Sequence, residues 1–337
     1  MELKTNNLTL EQKIHQMFIL GYEGENPLAS PQFINALKIG LGGVIFFTQN
    51  IFEKEKFKNA VNIIKENSLF PPFLSIDQEG GRVERTLNLY GGTHYLSAYD
   101  AAQKGEDFVR KQTQQISEEL KDFGLNMNFA PVLDVNTNPN NPIIGKRAYS
   151  SDCNKVAKFG KIAVDTYLKN GIIPVGKHFP GHGETSVDSH LEMPELNMSL
   201  SELENTHIKP FKALINDLPT IMVAHVYYSA FDSQKIPASV SENVIKNYLR
   251  KKLGFKGLVI SDDMVMGGIK KFTPLEACKK AIKAGVNLFI YRNSDDTTLE
   301  LIQQVITAVK NGEIDIKLID ESIEYIQVAK KMLLNIN

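Results

Sequence analysis

Short apolar runs alternate with segments of helical periodicity along almost the whole chain. Eight of these runs are expected to be strands: residues 17–21, 43–47, 73–77, 126–134, 172–179, 220–227, 257–262 and 287–291. They are largely apolar rather than alternating, as strands are when both faces of a parallel sheet are covered. Between them, residues 57–64, 108–123, 156–168, 203–215, 244–253, 275–284 and 299–309 place apolar side chains at helical spacing. Local chemistry marks the helix ends. Ser199-x-x-Glu202 and Ser239-x-x-Glu242 fit capping boxes, and Thr273-Pro274 sets a capping residue before a proline suited to a first turn. Gly171, Gly254 and Gly285 stand where helices should stop. This alternation predicts a closed (β/α)₈ TIM barrel, with an open doubly wound sheet as the alternative. No linker-like stretch divides the chain, so residues 1–337 are expected to form a single domain, with 318–334 as a closing helix.

Composition narrows the function classes. A hydrophobic fraction of 42% and a charged fraction of 23% are those of an ordinary globular protein. A net charge of −1, with Lys and Arg spread along the chain, gives no electrostatic footprint for nucleic acid. Cys153 and Cys278 are too far apart in sequence to suggest a disulfide framework or a metal knuckle, and they read as small packing residues. The apolar cluster at residues 17–20 is too short for a signal peptide or a membrane span. The expectation is a cytoplasmic protein, off the membrane and monomeric.

The polar residues speak by position. Asp77, Asp134, Lys177 with His178, His225 and Asp262 all fall at the carboxyl ends of expected strands. In a (β/α)₈ barrel those ends converge on one rim, where active sites are built. Each one alone could simply bond a loop amide; the whole set points to an enzyme.

Residues 177–190, KHFPGHGETSVDSH, form the most unusual loop. Pro180, Gly181 and Gly183 forbid regular structure there. His178, His182 and His190 with Asp188 have ligand chemistry, but their spacing matches no closed zinc pattern, and no metal is expected. In Asp188-x-His190 a tight turn lets the carboxylate meet the ring, fix its tautomer and raise its basicity. That is a proton shuttle. Strand 257–262 ends in Ser261-Asp262-Asp263, which offers a nucleophile or general base. Neighbouring strand residues face opposite ways, so only one of the two acids should serve, and spacing does not say which. Residues 77–85, DQEGGRVER, set Asp77 beside a Gly-Gly turn with Arg82 and Arg85, and Arg147 adds a third guanidinium. Carboxylates that bridge hydroxyl pairs, and guanidinium forks, suit a polyhydroxylated ligand. For Arg82 the plainer reading is a salt bridge to Asp77 that only shapes the rim. His15, His94 and His207 read as surface or core residues.

Residues 177–190, 77–85 and 257–264 (GLVISDDM) resemble the signature stretches of glycoside hydrolase family 3, specifically its bacterial β-N-acetylglucosaminidase branch. Residues 130–134 (APVLD) and 144–149 (IGKRAY) extend the resemblance, which runs in order from about Met17 to the last helix. It implies a (β/α)₈ barrel, no cofactor, and retaining cleavage through a covalent glycosyl-enzyme intermediate. Position by position, Asp262 matches the nucleophile, His190 the acid/base and Asp188 its partner. Asp77, Arg85, Arg147, Lys177 and His178 match residues that hold the terminal N-acetylglucosamine, with Arg82 a weaker candidate. A histidine would thus replace the second carboxyl group that most retaining glycosidases use. Placed on a Gly-bearing loop, it is expected to reach the sugar when that loop closes. The branch further implies a carbohydrate substrate, N-acetylglucosamine-containing muropeptides, in peptidoglycan recycling.

Two other readings stay open at the level of sequence. A histidine does not repel an incoming anion as a carboxylate would, which allows phosphorolysis. A catalytically silent sugar-binding protein is the other, and the joint retention of Asp262, Asp188 and His190 argues against it.

Overall fold

Eight parallel strands close into a barrel in chain order, in a computed structural model that describes residues 7–189 and 191–334. They are β1 (Phe18–Leu20), β2 (Gly43–Phe46), β3 (Phe73–Ile76), β4 (Met127–Asn128), β5 (Ile173–Phe179), β6 (Thr220–Val223), β7 (Leu258–Asp263) and β8 (Leu288–Tyr291). Closure comes from β1 on β8, where Phe18 pairs Phe289 and Leu20 pairs Tyr291. The open doubly wound alternative is thereby removed. The strands are buried almost throughout, which accounts for their continuous apolar runs.

Helices surround the barrel, with Glu106–Asp122 packed on Cys153–Lys169 as one contact of that outer layer. The Ser199 box caps Leu200–Asn205, and the Thr273 box caps Pro274–Ala284, each with its reciprocal glutamate bond. The terminal helix covers Ile316–Leu334. Among the described residues, no helix is long and apolar enough to cross a membrane.

Several boundaries differ from expectation, and proline explains two of them. The expected strand 126–134 is reduced to Met127–Asn128 plus a lone bridge from Val132 to Lys177. Pro131, which has no N–H to give a ladder, lies between them. The expected helix 203–215 is two short ones, Leu200–Asn205 and Lys209–Ala213. Carried through, it would drive the Pro210 ring into the carbonyl four residues earlier. The expected strand 220–227 ends at Val223, and Tyr227–Tyr228 instead pairs with Glu195–Leu196 beyond the barrel.

The Ser239 capping box is not formed. Ser239 Oγ lies 2.7 Å from His225 Nδ1, and Ser241 Oγ accepts the Val244 N–H in its place. The helix that follows, Asn243–Lys252, is a π-helix with i→i+5 bonds such as Leu253 to Tyr248. Four α-helices lie outside the expected segments: Leu10–Gln16, capped by Thr9; Pro31–Ile39, capped by Ser30 and ended by Gly40; and the short Leu87–Tyr90 and Ala98–Gln103. Cys278 is buried, Cys153 is half-buried, and both are free thiols.

Candidate active site

At the carboxyl ends of the strands lies a cleft of ≈ 380 Å³, floored by Ile45, Phe129, Met222 and Ile290. Asp77, Arg85, Arg147, Lys177, His178 and Asp262 all border it, so six of the expected site residues share one cavity. Asp188 is not among the lining residues, although its neighbour Ser189 is. His190, the expected acid/base, lies outside the described residues.

Two irregular strand pairings shape the cleft. Between β5 and β6, Gly176 pairs Ile221 but Phe179 pairs Val223, so β5 carries one extra residue at Lys177-His178. Between β7 and β8, Leu288 pairs Ile260 but Ile290 pairs Asp263, so β7 carries one extra residue at Ser261-Asp262. Bulges of this kind re-aim side chains and interrupt strict alternation. Both members of Lys177/His178 and of Asp262/Asp263 therefore border the cleft. This corrects the expectation that neighbouring acids must face opposite ways.

Asp77 and Lys177 lie at the centre of a buried charge network. Lys177 Nζ is 2.7 Å from Asp77 Oδ1 and 2.6 Å from Glu79 Oε1. Arg147 grips Glu79 with two parallel bonds of 2.8 Å from Nε and Nη2. Arg85 Nη2 reaches Asp77 Oδ2 at 3.3 Å while its guanidinium stands 5.5 Å over the Phe47 ring. The salt bridge to Asp77 thus belongs to Arg85; Arg82 donates instead to the carbonyls of Pro142 and Ile143. Burial alone would raise the pKa of Glu79, but Arg147 and Lys177 hold it down to about 2. Desolvation likewise opposes ionisation of the half-buried Asp77, yet Lys177 and then Arg85 hold it well below the usual carboxylate range.

The segment after β3 is folded for this purpose. Gln78 donates to Thr86 Oγ1 at 2.7 Å and accepts the Arg85 N–H at 2.8 Å, closing the loop on itself. Gly80 and Gly81, with φ of 93° and 60°, supply the left-handed turn between them.

Asp134, fully buried, organises the next loop. Its Oδ2 lies 2.6 Å from His178 Nδ1, and its Oδ1 accepts the His182 N–H at 2.6 Å. His178 Nε2 is thereby turned toward Arg147 Nη2, 3.4 Å away. Burial opposes ionisation of Asp134, but the two histidines keep its pKa at about 2. At Gly183 the backbone presses on Val135, where a β-carbon would overlap the Val135 carbonyl. The Lys177–His178 and Phe179–Pro180 peptide bonds are cis.

The pKa values of Asp262 and Asp263 are shifted in opposite directions. Burial pushes against ionisation of Asp262, but facing His178 and His225, and the Asp263 N–H on its Oδ1, lower its pKa. Asp263 has its pKa raised by burial, which its ion pair with Arg292 does not offset. The chemistry available is an ionised carboxylate at the cleft floor facing a polyol grip of fixed charges.

Glu79, Asp134, His182 and Arg292 complete the site without having been assigned roles from sequence. Asp134 carried a signal, its strand-end position. Glu79 carried only its place beside the Gly-Gly turn, and Arg292 carried none.

Residues 9–329 match the family model described as the glycosyl hydrolase family 3 N terminal domain. A β-hexosaminidase A from Pseudoalteromonas piscicida is 33% identical over 271 residues, covering 74% of this chain and 45% of that protein. A β-hexosaminidase from Haemophilus influenzae (strain PittEE) is 34% identical over 271 residues, covering 79% of this chain and 76% of its own. Among solved structures, a glycoside hydrolase family 3 β-N-acetylglucosaminidase from Paenibacillus sp. str. FPU-7 superposes with a TM-score of 0.92 at 32% identity. That match covers 97% of this chain and 63% of the other.

Proposed function

The chain belongs to glycosyl hydrolase family 3, and on that premise we propose that it is a retaining β-N-acetylglucosaminidase with Asp262 as nucleophile. The observation that carries this is Asp262, half-buried on a bulged strand end and with its pKa lowered by the facing His178 and His225, sharing a cleft with the Asp77–Lys177–Arg147 network. The two relatives are both β-hexosaminidases by name, and the similar solved structure is titled a β-N-acetylglucosaminidase.

In this reading the terminal N-acetylglucosamine lies over Asp262, with Asp77, Arg85, Lys177, His178 and Arg147 fixing its hydroxyls and acetamido group. Protonated His190 donates to the leaving glycosidic oxygen while Asp262 attacks the anomeric carbon. Neutral His190 then takes a proton from the water that releases the sugar. Asp188 sets the tautomer and basicity of that imidazole. The finer role, removal of N-acetylglucosamine from peptidoglycan-derived muropeptides, rests on the signature stretches at residues 77–85, 177–190 and 257–264.

The test is to trap the intermediate with a fluorinated N-acetylglucosamine donor and map the labelled peptide. A label on Asp262 is expected. A label on Asp263, or no covalent adduct despite turnover, would overturn the assignment.

A further inference from the structure

Ser189 stands between Asp188 and His190 in sequence and is buried, although the loop that bears it is irregular. Two separate parts of the barrel hold it. Its Oγ lies 3.0 Å from His182 Nε2, and its carbonyl accepts the Gly268 N–H at 2.9 Å. His182 is itself fixed: its backbone N–H donates to Asp134, and its Nδ1 lies 2.7 Å from Thr185 Oγ1. Burial and the nearby His178 push the pKa of His182 down to about 4, so its ring is neutral and bridges two hydroxyls.

The second anchor belongs to the turn that follows the nucleophile strand. A β-carbon on Gly268 would lie 2.6 Å from the His225 carbonyl oxygen, and one on Gly267 would overlap the Leu191 carbonyl. Only glycine lets this turn approach so closely. The Asp188 carbonyl in turn accepts the N–H groups of Leu191 and Glu192, at 3.0 and 3.2 Å.

We propose that Ser189 is a positioning residue for proton transfer, the latch that fixes the Asp188 turn to both the sugar-binding loop and the nucleophile strand. This rests on the glycosidase reading above. Its physical content is that sugar contacts at His178 and attack at Asp262 share one framework with the acid/base segment, through Asp134–His182 on one side and Gly268 on the other. Ser189 itself touches no reacting atom in this scheme.

The experiment compares leaving groups. A dinitrophenolate departs with little protonation, whereas a sugar alkoxide depends on the general acid. For Ser189→Ala, kcat/KM should fall about 10-fold or more on N,N′-diacetylchitobiose and about threefold or less on 2,4-dinitrophenyl N-acetyl-β-glucosaminide. Gly268→Ala, which disturbs the other anchor, should show the same split. Equal losses on both substrates, or no loss on either, would overturn the latch. The wild-type protein separates the two ideas: if it cleaves neither substrate, the glycosidase reading fails before the latch is in question.

Discussion

The backbone N–H of Asp263 donates to the Asp262 carboxylate at 2.8 Å, yet the two adjacent acids are tuned in opposite directions. Asp262, facing His178 and His225, is held ionised. Asp263, buried against Arg292, is pushed toward the neutral form. Asp262→Ala should therefore cut kcat by about 10⁴-fold or more with the melting temperature preserved. Asp263→Asn should stay within about 10-fold of the wild type, since its partner Arg292 is 46% exposed. Steady-state kinetics on an aryl N-acetylglucosaminide reads both, and equal losses would refute the division of roles.

Lys177 is a buried cation shared by two carboxylates. Lys177→Met leaves Asp77 and Glu79 with less compensation for their charge. A loss of about 3 kcal/mol or more in unfolding free energy is expected. Urea denaturation measures it, and an unchanged midpoint would show the network to be energetically slack.

Acid should weaken the fold through the same groups. Glu79 and Asp134 have folded pKa values of about 2, below the ordinary carboxyl values of about 4. Across that interval the unfolded chain binds more protons than the folded one, so stability rises with pH. Their contribution is fully present above about pH 5 and is lost as pH falls from about 4 toward 2. Asp134→Asn should flatten this part of a stability profile followed by circular dichroism.

At the opposite end of the barrel, Lys330 is buried with its Nζ 2.8 Å from Gln16 Oε1 and 5.1 Å from the Phe73 ring centroid. Burial pushes its pKa down to about 7, against about 10.4 in an unfolded chain. Here the folded form sheds its proton first, so stability should rise with pH between about 7 and 10. Lys330→Met should remove that slope and, at pH 6, gain about 1 kcal/mol or more. A melting curve that keeps its slope in the variant would contradict this origin.

The barrel was legible because two periodicities alternate without a break, and the rim because ionisable residues such as Asp77 and Asp262 interrupt apolar runs at their ends. What escaped the sequence was register. Nothing local announces the extra residue at Lys177-His178 or Ser261-Asp262, since a bulge exists only relative to the neighbouring strand. Glu79 was missed for a related reason: its partner Arg147 is remote in the chain and meets it only after the barrel has closed. Pro131 and Pro210 do carry a local signal, since each lacks the N–H that a strand or helix running through it would need.

The two irregular pairings also limit how this chain can change. Inward and outward on a strand are a matter of odd and even, so an indel within 176–179 or 260–263 does not shift the delivered groups by degrees. It exchanges inside for outside in one step, turning the carboxylate of Asp262 or the cation of Lys177 toward the helices. A substitution at these ends alters one side chain in place, whereas a change in the number of residues re-aims its neighbours as well.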